Sequence, residues 1–124
     1  MPARRFPPNV VASIDAAKIL GIRAGKTHRV IGIWVVVVEG RVFVRSWTLK
    51  PDGWYHTFRE DPHGIIEVGK RRIRVRAVQT RSERLKRAVD EAYAEKYPTP
   101  ASKKYVMGFR RGRRRDSTTE LVPE

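Results

Sequence analysis

Residues 29–47 read RVIGIWVVVVEGRVFVRSW and contain the longest apolar run of the chain, residues 33–38. Two runs rich in β-branched and aromatic residues flank Glu39-Gly40, and a two-residue link that ends in glycine is typical of a tight hairpin turn. An apolar run of this length is too short to span a bilayer. The stretch therefore predicts a β-hairpin around which the other elements pack.

Counting outward from the turn gives a register for this hairpin: Val38 with Arg41, Val36 with Phe43, Trp34 with Arg45, and Gly32 with Trp47. Because neighbouring residues of a strand point to opposite faces, the remaining positions form a second face that predicts core. The first face mixes aromatic and basic side chains with bare backbone at Gly32. Two interpretations are open for it: contact with a flat ligand or a partner subunit, or cover by a helix.

Composition sets outer limits on the fold and its partners. The chain has 124 residues, which is enough for one domain with one core, and it contains no cysteine for disulfides or thiol chemistry. Lys and Arg total 27 against 13 Asp and Glu, a formal charge of +14 that favours nucleic acid, phosphorylated cofactors or acidic metabolites. The N-terminus has no apolar signal sequence, so a cytoplasmic location is the expectation.

The sequence before and after the hairpin predicts alternating short elements. Residues 1–12, with three prolines, predict a flexible arm, and residues 13–17 a single helical turn. Residues 18–25 predict a strand with Leu20, Ile22 and Ala24 on one side. Trp54–Glu60 predicts a short helix that Asp61-Pro62 ends.

The second half predicts a further hairpin, a longer helix and a last strand. In residues 64–80, Ile73, Val75 and Ala77 alternate with three arginines, typical of an antiparallel strand with one face in water. Ser82 is a predicted N-cap for a helix to about Tyr97, and residues 118–122 a last strand. Together these predict an α+β fold in residues 13–124: a small, mostly antiparallel β-barrel of about six strands with one short and one longer helix.

Motifs of the common enzyme classes are absent from the sequence. There is no Gly-rich dinucleotide or phosphate-loop motif and no nucleophile elbow. His28, His56 and His63 lack the spacing of metal ligands, and the carboxylates are scattered. We therefore assign no metal site and no catalytic acid or base.

A cluster of cations near the end of the hairpin suggests a ligand site. Arg45, Ser46 and Lys50 leave its second strand together with Trp47, and Lys26 and Arg29 precede its first strand. Cations and a hydroxyl beside an aromatic face suit a phosphorylated heteroaromatic ligand. The alternative is that these residues form the rim of the barrel.

Residues 110–115, RRGRRR, form the most basic run of the chain. Such runs bind phosphate backbones, and with the arginine strand 71–76 this one suggests a nucleic-acid surface. A solvated, solubilising surface is the alternative. The candidate nucleic-acid contacts are Arg110, Arg111, Arg113, Arg114 and Arg115.

Four segments, IWVVVVEGRVFVRSW, GWYHTF, AVDEAYAEKY and TTELVP, together resemble the bacterial family known as domain of unknown function 2255, over residues 16–123. More distantly, the order of elements is similar to the flavin-binding split β-barrels, the superfamily of pyridoxamine phosphate oxidase and the deazaflavin-dependent nitroreductases. That resemblance implies a phosphate site at Arg45, Ser46 and Lys50, at a homodimer interface.

The resulting expectation is a protein that binds FMN or a deazaflavin for hydride or electron transfer to a small molecule. The expected cofactor contacts are Lys26, Arg29, Gly32, Trp34, Arg45, Ser46, Trp47 and Lys50. A basic nucleic-acid-binding module is one alternative, and a family member that keeps the barrel without a cofactor is another.

Overall fold

The computed structural model describes residues 5–124 of the chain. Seven strands of this part form one antiparallel sheet in the order β2-β1-β5-β6-β7-β4-β3. Their bounds are Leu20–Ala24 (β1), Ile31–Ile33 (β2), Val36–Val38 (β3), Arg41–Val44 (β4), His63–Val68 (β5), Arg71–Gln79 (β6) and Thr119–Pro123 (β7). The edge strands β2 and β3 are separated by only two residues of the chain, so the sheet must curl enough to bring the adjoining ends of its two edge strands close together. The predicted small antiparallel barrel is confirmed as a curled half-barrel in an α+β fold.

Five α-helices accompany the sheet in the described residues: Pro8–Ala16 (α1), Trp54–Glu60 (α2), Glu83–Lys96 (α3), Lys103–Phe109 (α4) and Gly112–Asp116 (α5), with a short 3₁₀ turn at Pro100–Ser102. The sequence predicts α2 and α3 at these positions. Ser82 caps α3 as expected, because its hydroxyl accepts the N–H of Leu85 at 3.2 Å.

The first helix begins inside the segment for which the sequence predicts an irregular arm. Pro8 occupies the first turn, where its missing N–H costs nothing, and Val10 and Ile14 turn inward to the core. Burial of this apolar side explains why helix replaces irregular chain in residues 8–12. Residues 1–4 of the predicted arm lie outside the described residues.

The central turn forms as the sequence predicts. Glu39 and Gly40 have φ values of 55° and 72°, which is the positive region that a two-residue hairpin turn of this hand requires at both positions. Val38 pairs with Arg41 and Val36 with Phe43, in the predicted register. Residues 63–79 likewise form the second predicted hairpin, with Ile66 opposite Ile73.

Beyond Val36 the predicted register is wrong, because the strand changes partner. Gly32 pairs with Gly21 on β1, so it does not face Trp47, and the predicted long strand is divided into β2 and β3. A Cβ on Gly32 would lie 2.7 Å from Cγ2 of Ile19, so a larger residue at this position would displace the Ile19 side chain. This division accounts for seven strands instead of six.

The point where the strand changes partner is held by the C-terminal end of α3. The Tyr97 hydroxyl accepts the Val35 N–H at 3.2 Å and donates to the Lys18 carbonyl at 2.7 Å. Lys96 Nζ donates to the carbonyls of Val35 at 2.8 Å and Ile14 at 3.2 Å. Burial raises the pKa of Tyr97, which keeps the phenol protonated and able to donate.

Apolar side chains form two clusters, one on each face of the sheet. The concave face, with α1 and α2, encloses a core that includes Leu20, Ile22, Val35, Val42 and Val44. The opposite face of β3 and β4 is covered by α3 and α4, whose inward residues include Leu85, Val89, Tyr93, Val106 and Phe109. The sequence leaves two interpretations open for the aromatic face of the hairpin. Over β3 and β4, this face is covered by helices.

Changing Tyr97 to Phe tests the hold on the strand junction. The variant leaves the buried Val35 N–H without its acceptor, so we expect the free energy of unfolding to fall by about 1–3 kcal/mol. Tyr105→Phe is the control, because the more exposed Tyr105 should cost less than about 0.5 kcal/mol. Urea unfolding followed by circular dichroism measures both, and equal losses would contradict the assignment.

Candidate functional site

A cavity of about 410 Å³ opens beside the edge strand β2. Its walls come from β2, from the segment after β4, from the start of α2 and from α4, and they are mainly apolar or aromatic. The lining residues are Ile19, Ile31, Gly32, Ile33, Trp34, Arg45, Trp47, Thr48, Trp54, Tyr105 and Phe109. All three tryptophans of the chain are among them. We call this space the aromatic cavity.

The aromatic rings of the wall are packed in fixed relative orientations. Trp34 stacks on Tyr97 with ring centroids 4.0 Å apart and planes 4° from parallel. Tyr105 stands edge-on to Trp34 at 5.9 Å and to Trp47 at 4.8 Å, and Phe109 stands edge-on to Trp47 at 5.5 Å. Edge-on arrangements of this kind are favourable for aromatic pairs. The cavity therefore has a preorganised aromatic wall.

Trp47 is held by two neighbouring elements. A Cβ on Gly108 would lie 2.5 Å from Cζ3 of Trp47, so α4 approaches the indole only because residue 108 is glycine. The Arg114 guanidinium lies 3.9 Å from the Trp47 ring centroid, and its Nε donates to the Trp47 carbonyl at 2.9 Å. Tyr105, Phe109 and Arg114 all lie in residues for which the sequence predicts no regular structure. The i,i+4 spacing of Tyr105 and Phe109 was the available signal for α4.

Arg45 lies at the end of β4 with only 2% of its surface exposed. Its guanidinium donates to Asp90 at 2.5 Å, to the hydroxyl of Thr118 at 2.7 Å, and to the carbonyls of Phe109 and Lys86, each at 2.9 Å. Four of the five guanidinium N–H groups are thus bonded within the chain. Burial lowers the pKa of Arg45, and the Asp90 carboxylate opposes that shift.

The groups around Arg45 are themselves bonded. The Arg45 N–H donates to the Tyr93 hydroxyl at 3.0 Å, and burial raises the pKa of Tyr93. Asp90 also accepts from Arg115 Nε at 3.1 Å, so two arginines share one carboxylate. This network joins β4, α3, α4 and α5.

The remaining residues of the predicted phosphate site have separate surroundings. Ser46 is buried, its N–H donates to the hydroxyl of Ser117 at 2.8 Å, and its own hydroxyl donates to the carbonyl of Thr48. Lys50 is exposed, and its carbonyl accepts the Gly53 N–H at 2.9 Å. Ser46 thus fixes the segment that follows Trp47, and Lys50 keeps an exposed ammonium.

The structure brings four of the predicted cofactor contacts together at the aromatic cavity: Gly32, Trp34, Arg45 and Trp47. Lys26 lies instead in a polar groove with Arg23, His63 and Arg74, and Arg29 is exposed between β1 and β2. Lys26 and Arg29, which precede β2, therefore do not line the aromatic cavity.

The basic run 110–115 divides into two groups. Arg114 contacts Trp47, and Arg115 bonds Asp90 and, at 2.9 Å, Glu83. Arg110, Arg111 and Arg113 are exposed. Among residues 5–124, no three His, Cys, Asp or Glu side chains are placed to hold a metal ion. No helix in the same range is both long enough and apolar enough to cross a membrane.

The curled antiparallel sheet has the architecture of a small split β-barrel. The sequence model of one family, described as "Uncharacterized protein conserved in bacteria (DUF2255)", matches residues 10–121, and the chain belongs to this family. The resemblance of the sequence to this family is thereby confirmed. A search of curated protein sequences finds no match.

Several solved structures have a similar fold. A putative pyridoxamine 5'-phosphate oxidase from Listeria innocua has a TM-score of 0.64 and 12% identity, over 94% of this chain and 91% of that one. An F420-H2 dependent reductase has a TM-score of 0.56 and 15% identity, over 84% of this chain and 90% of the other. A FAD-binding protein from Mesorhizobium loti has a TM-score of 0.53 and 13% identity, over 99% of this chain and 92% of the other. At these identities the likeness is one of fold alone.

Replacing Arg45 by Met tests whether the network around it is structural. The variant removes the partner that Asp90 and three further acceptors share, so we expect a loss of about 3–5 kcal/mol in the free energy of unfolding. Arg72→Met is the control, because its ion pair with Glu67 is exposed and should be worth less than about 1 kcal/mol. Urea titration compares them, and a loss as small as that of the control would argue against the network.

Proposed function

We propose that the protein binds a flavin or a deazaflavin with the ring system in the aromatic cavity, for hydride or electron transfer to a small molecule. The observation that carries this proposal is the aromatic cavity itself. Its volume is about 410 Å³, and all three tryptophans line it together with Tyr105 and Phe109. The names of two solved structures of similar fold, a FAD-binding protein and an F420-H2 dependent reductase, support it.

The residues present suit the ring end of such a cofactor. Small-molecule pockets commonly span about 300–1,000 Å³ and have mostly apolar walls with a few polar groups, and the aromatic cavity agrees in both respects. Trp34 and Trp47 contribute aromatic surface to the wall, and Thr48 is a polar residue among the lining. When bound, the cofactor would supply the redox chemistry, and the protein would orient the ring and exclude water.

The predicted phosphate contacts divide into two roles in this proposal. Arg45 and Ser46 would act as positioning residues, since their polar groups are bonded within the chain and hold the segment that carries Trp47. Lys50 keeps an exposed ammonium that is able to meet an anion. Lys26 and Arg29 lie away from the cavity wall and have no direct contact with the ring in this proposal.

A second copy of the chain is the proposed cover of the cavity mouth. Ile19 is 54% exposed, Ile31 39% and Tyr105 37%, and all three line the cavity. Ile31 also lies on β2, an edge strand whose outer side has no partner strand in the described sheet. Apolar side chains beside an open edge favour association, because both are stabilised by burial.

Titration of the full chain with riboflavin phosphate or a deazaflavin tests the proposal. Because all three tryptophans line the cavity, ring binding should quench most of the intrinsic fluorescence, and micromolar affinity is expected. Thr48→Trp should fill the cavity mouth and weaken binding by about tenfold or more, a loss of about 1.4 kcal/mol. Val78→Trp adds the same bulk at an exposed position outside the cavity lining and should leave affinity unchanged.

Calorimetry gives the affinities of the variants, and sedimentation gives the mass of the complex. Two copies per complex are expected, and a monomer would contradict the proposed cover. If neither the flavin nor the deazaflavin binds, the proposed function is overturned, and the result favours the alternative that this family member keeps the barrel without a cofactor.

One feature supports a second candidate function, binding to nucleic acid. Arg72, Arg74 and Arg76 alternate along β6 on the face away from the concave core, and all three are exposed. Arg72 pairs with Glu67, whereas Arg74 and Arg76 have no carboxylate within 4 Å in the described residues. Side chains two residues apart on a strand are about 7 Å apart, similar to the separation of successive phosphates in a nucleic-acid strand.

Salt dependence of oligonucleotide binding tests this second candidate. If Arg74 and Arg76 each neutralise one phosphate, changing both to Gln should reduce the slope of log affinity against log salt by about 2. Arg87→Gln with Lys103→Gln is the matched control, because it removes the same charge from α3 and α4. A flat salt response, or an equal effect of the control pair, would exclude this surface.

A further inference from the structure

A second, smaller pocket of about 260 Å³ lies between α2 and α5. Its lining residues are Leu49, Tyr55, His56, Arg59, Arg113 and Asp116. Tyr55 and Arg59 are four residues apart on α2, and Arg113 and Asp116 three apart on α5, so each pair shares one helix face. Each helix thus contributes one arginine to the space between them. We call this space the basic pocket.

The basic pocket carries an excess of unpaired positive charge. Neither Arg59 nor Arg113 has a carboxylate within 4 Å in the part of the chain that the structure describes. Arg59 lies 5.9 Å from the Tyr55 ring centroid, a contact that leaves its N–H groups free to donate. The one lining carboxylate, Asp116, already faces Lys86 Nζ at 3.4 Å. The pocket therefore has two arginines and one carboxylate, a net positive charge that favours an anion.

The wall of the basic pocket is tied to the segment that follows Trp47. His56 Nε2 lies 3.1 Å from the Leu49 carbonyl, and since a carbonyl can only accept, Nε2 must carry the hydrogen of this bond. The bond fixes the first turn of α2 against Leu49. The pocket is thereby a defined concavity, and its two arginines come from different helices.

Three pairs of adjacent residues place the basic pocket next to the aromatic cavity. Thr48 lines the aromatic cavity and its neighbour Leu49 lines the basic pocket. Likewise, Trp54 lines the aromatic cavity and its neighbour Tyr55 lines the basic pocket. Arg114 stacks on Trp47 of the aromatic cavity, whereas its neighbour Arg113 lines the basic pocket. The two spaces are thus built on the same three segments of chain.

We propose that the basic pocket binds the phosphate group of the ligand whose ring lies in the aromatic cavity. This inference rests on the proposed function, and it assigns the phosphate to Arg59 and Arg113 in place of Arg45 and Ser46. The planar fork of an arginine matches two phosphate oxygens, and two such forks from separate helices enclose the anion. Ligands with the phosphate are selected over the same ring without it.

Comparison of riboflavin with riboflavin 5'-phosphate tests this inference directly, because the two ligands share the ring and differ by the phosphate. Calorimetry on the full chain should give tighter binding of the phosphorylated form by about tenfold to hundredfold. In the variant Arg59→Gln with Arg113→Gln, the preference should fall to near equality while riboflavin affinity stays unchanged. The corresponding deazaflavin pair, without and with its phosphate, is measured in the same way.

Arg110→Gln with Arg111→Gln is the matched control, because it removes two exposed charges from the adjacent segment and should keep the preference. Equal affinity of the wild-type chain for both ligands would overturn the phosphate pocket and leave the aromatic cavity in place. A preference that survives in the Arg59 and Arg113 variant but is lost in Lys50→Gln would place the phosphate at Lys50, against this inference. No binding of either ring system would overturn the proposed function and the inference with it.

Discussion

A guanidinium group buried in a protein must have its N–H donors bonded, and Arg45 meets this constraint only when several segments of chain converge on it. The carboxylate of Asp90 and the carbonyl of Lys86 come from α3, the carbonyl of Phe109 ends α4, and the hydroxyl of Thr118 precedes β7. An unpaired charge at this position would cost several kcal/mol, so the helices are fixed to the sheet at one point. Because Trp47 follows Arg45 by two residues and Phe109 is one of its acceptors, the same network sets two walls of the aromatic cavity.

The other walls result from the curl of the sheet. Between β2, which pairs with β1, and β3, which pairs with β4, the backbone of Val35 has no partner strand. The Tyr97 hydroxyl accepts its N–H and the Lys96 ammonium donates to its carbonyl. Trp34, at the same junction, then stacks on Tyr97 beside the aromatic cavity. The edge strand β2 stays open next to it, with apolar side chains at the mouth. The fold and the candidate site thus depend on the same two anchored positions, Val35 and Arg45.

Much of the fold follows from local patterns in the sequence. The turn at Glu39-Gly40, the alternation along β6 and the cap of α3 at Ser82 are encoded within a few residues, and each forms as predicted. The change of partner at Trp34 is not local, because alternation shows which face a residue takes and not which strand lies beside it. For the site, Trp34 and Trp47 were predictable as an aromatic surface, whereas Tyr105 and Phe109 belong to a short helix with little periodicity. Arg45 shows a further limit: a cation at the end of a strand has the same appearance in sequence whether it meets a ligand or an internal carboxylate.

In the function proposed above, the aromatic cavity is a ring-binding site whose walls are fixed by these two anchored positions. A crystal structure of the full chain grown with riboflavin phosphate tests this claim most directly. We expect the planar ring against Trp34 and Trp47, next to Thr48 and β2, with the Arg45 network unchanged. A ring bound at another surface, or an Arg45 guanidinium released from Asp90 to contact the ligand, would contradict it.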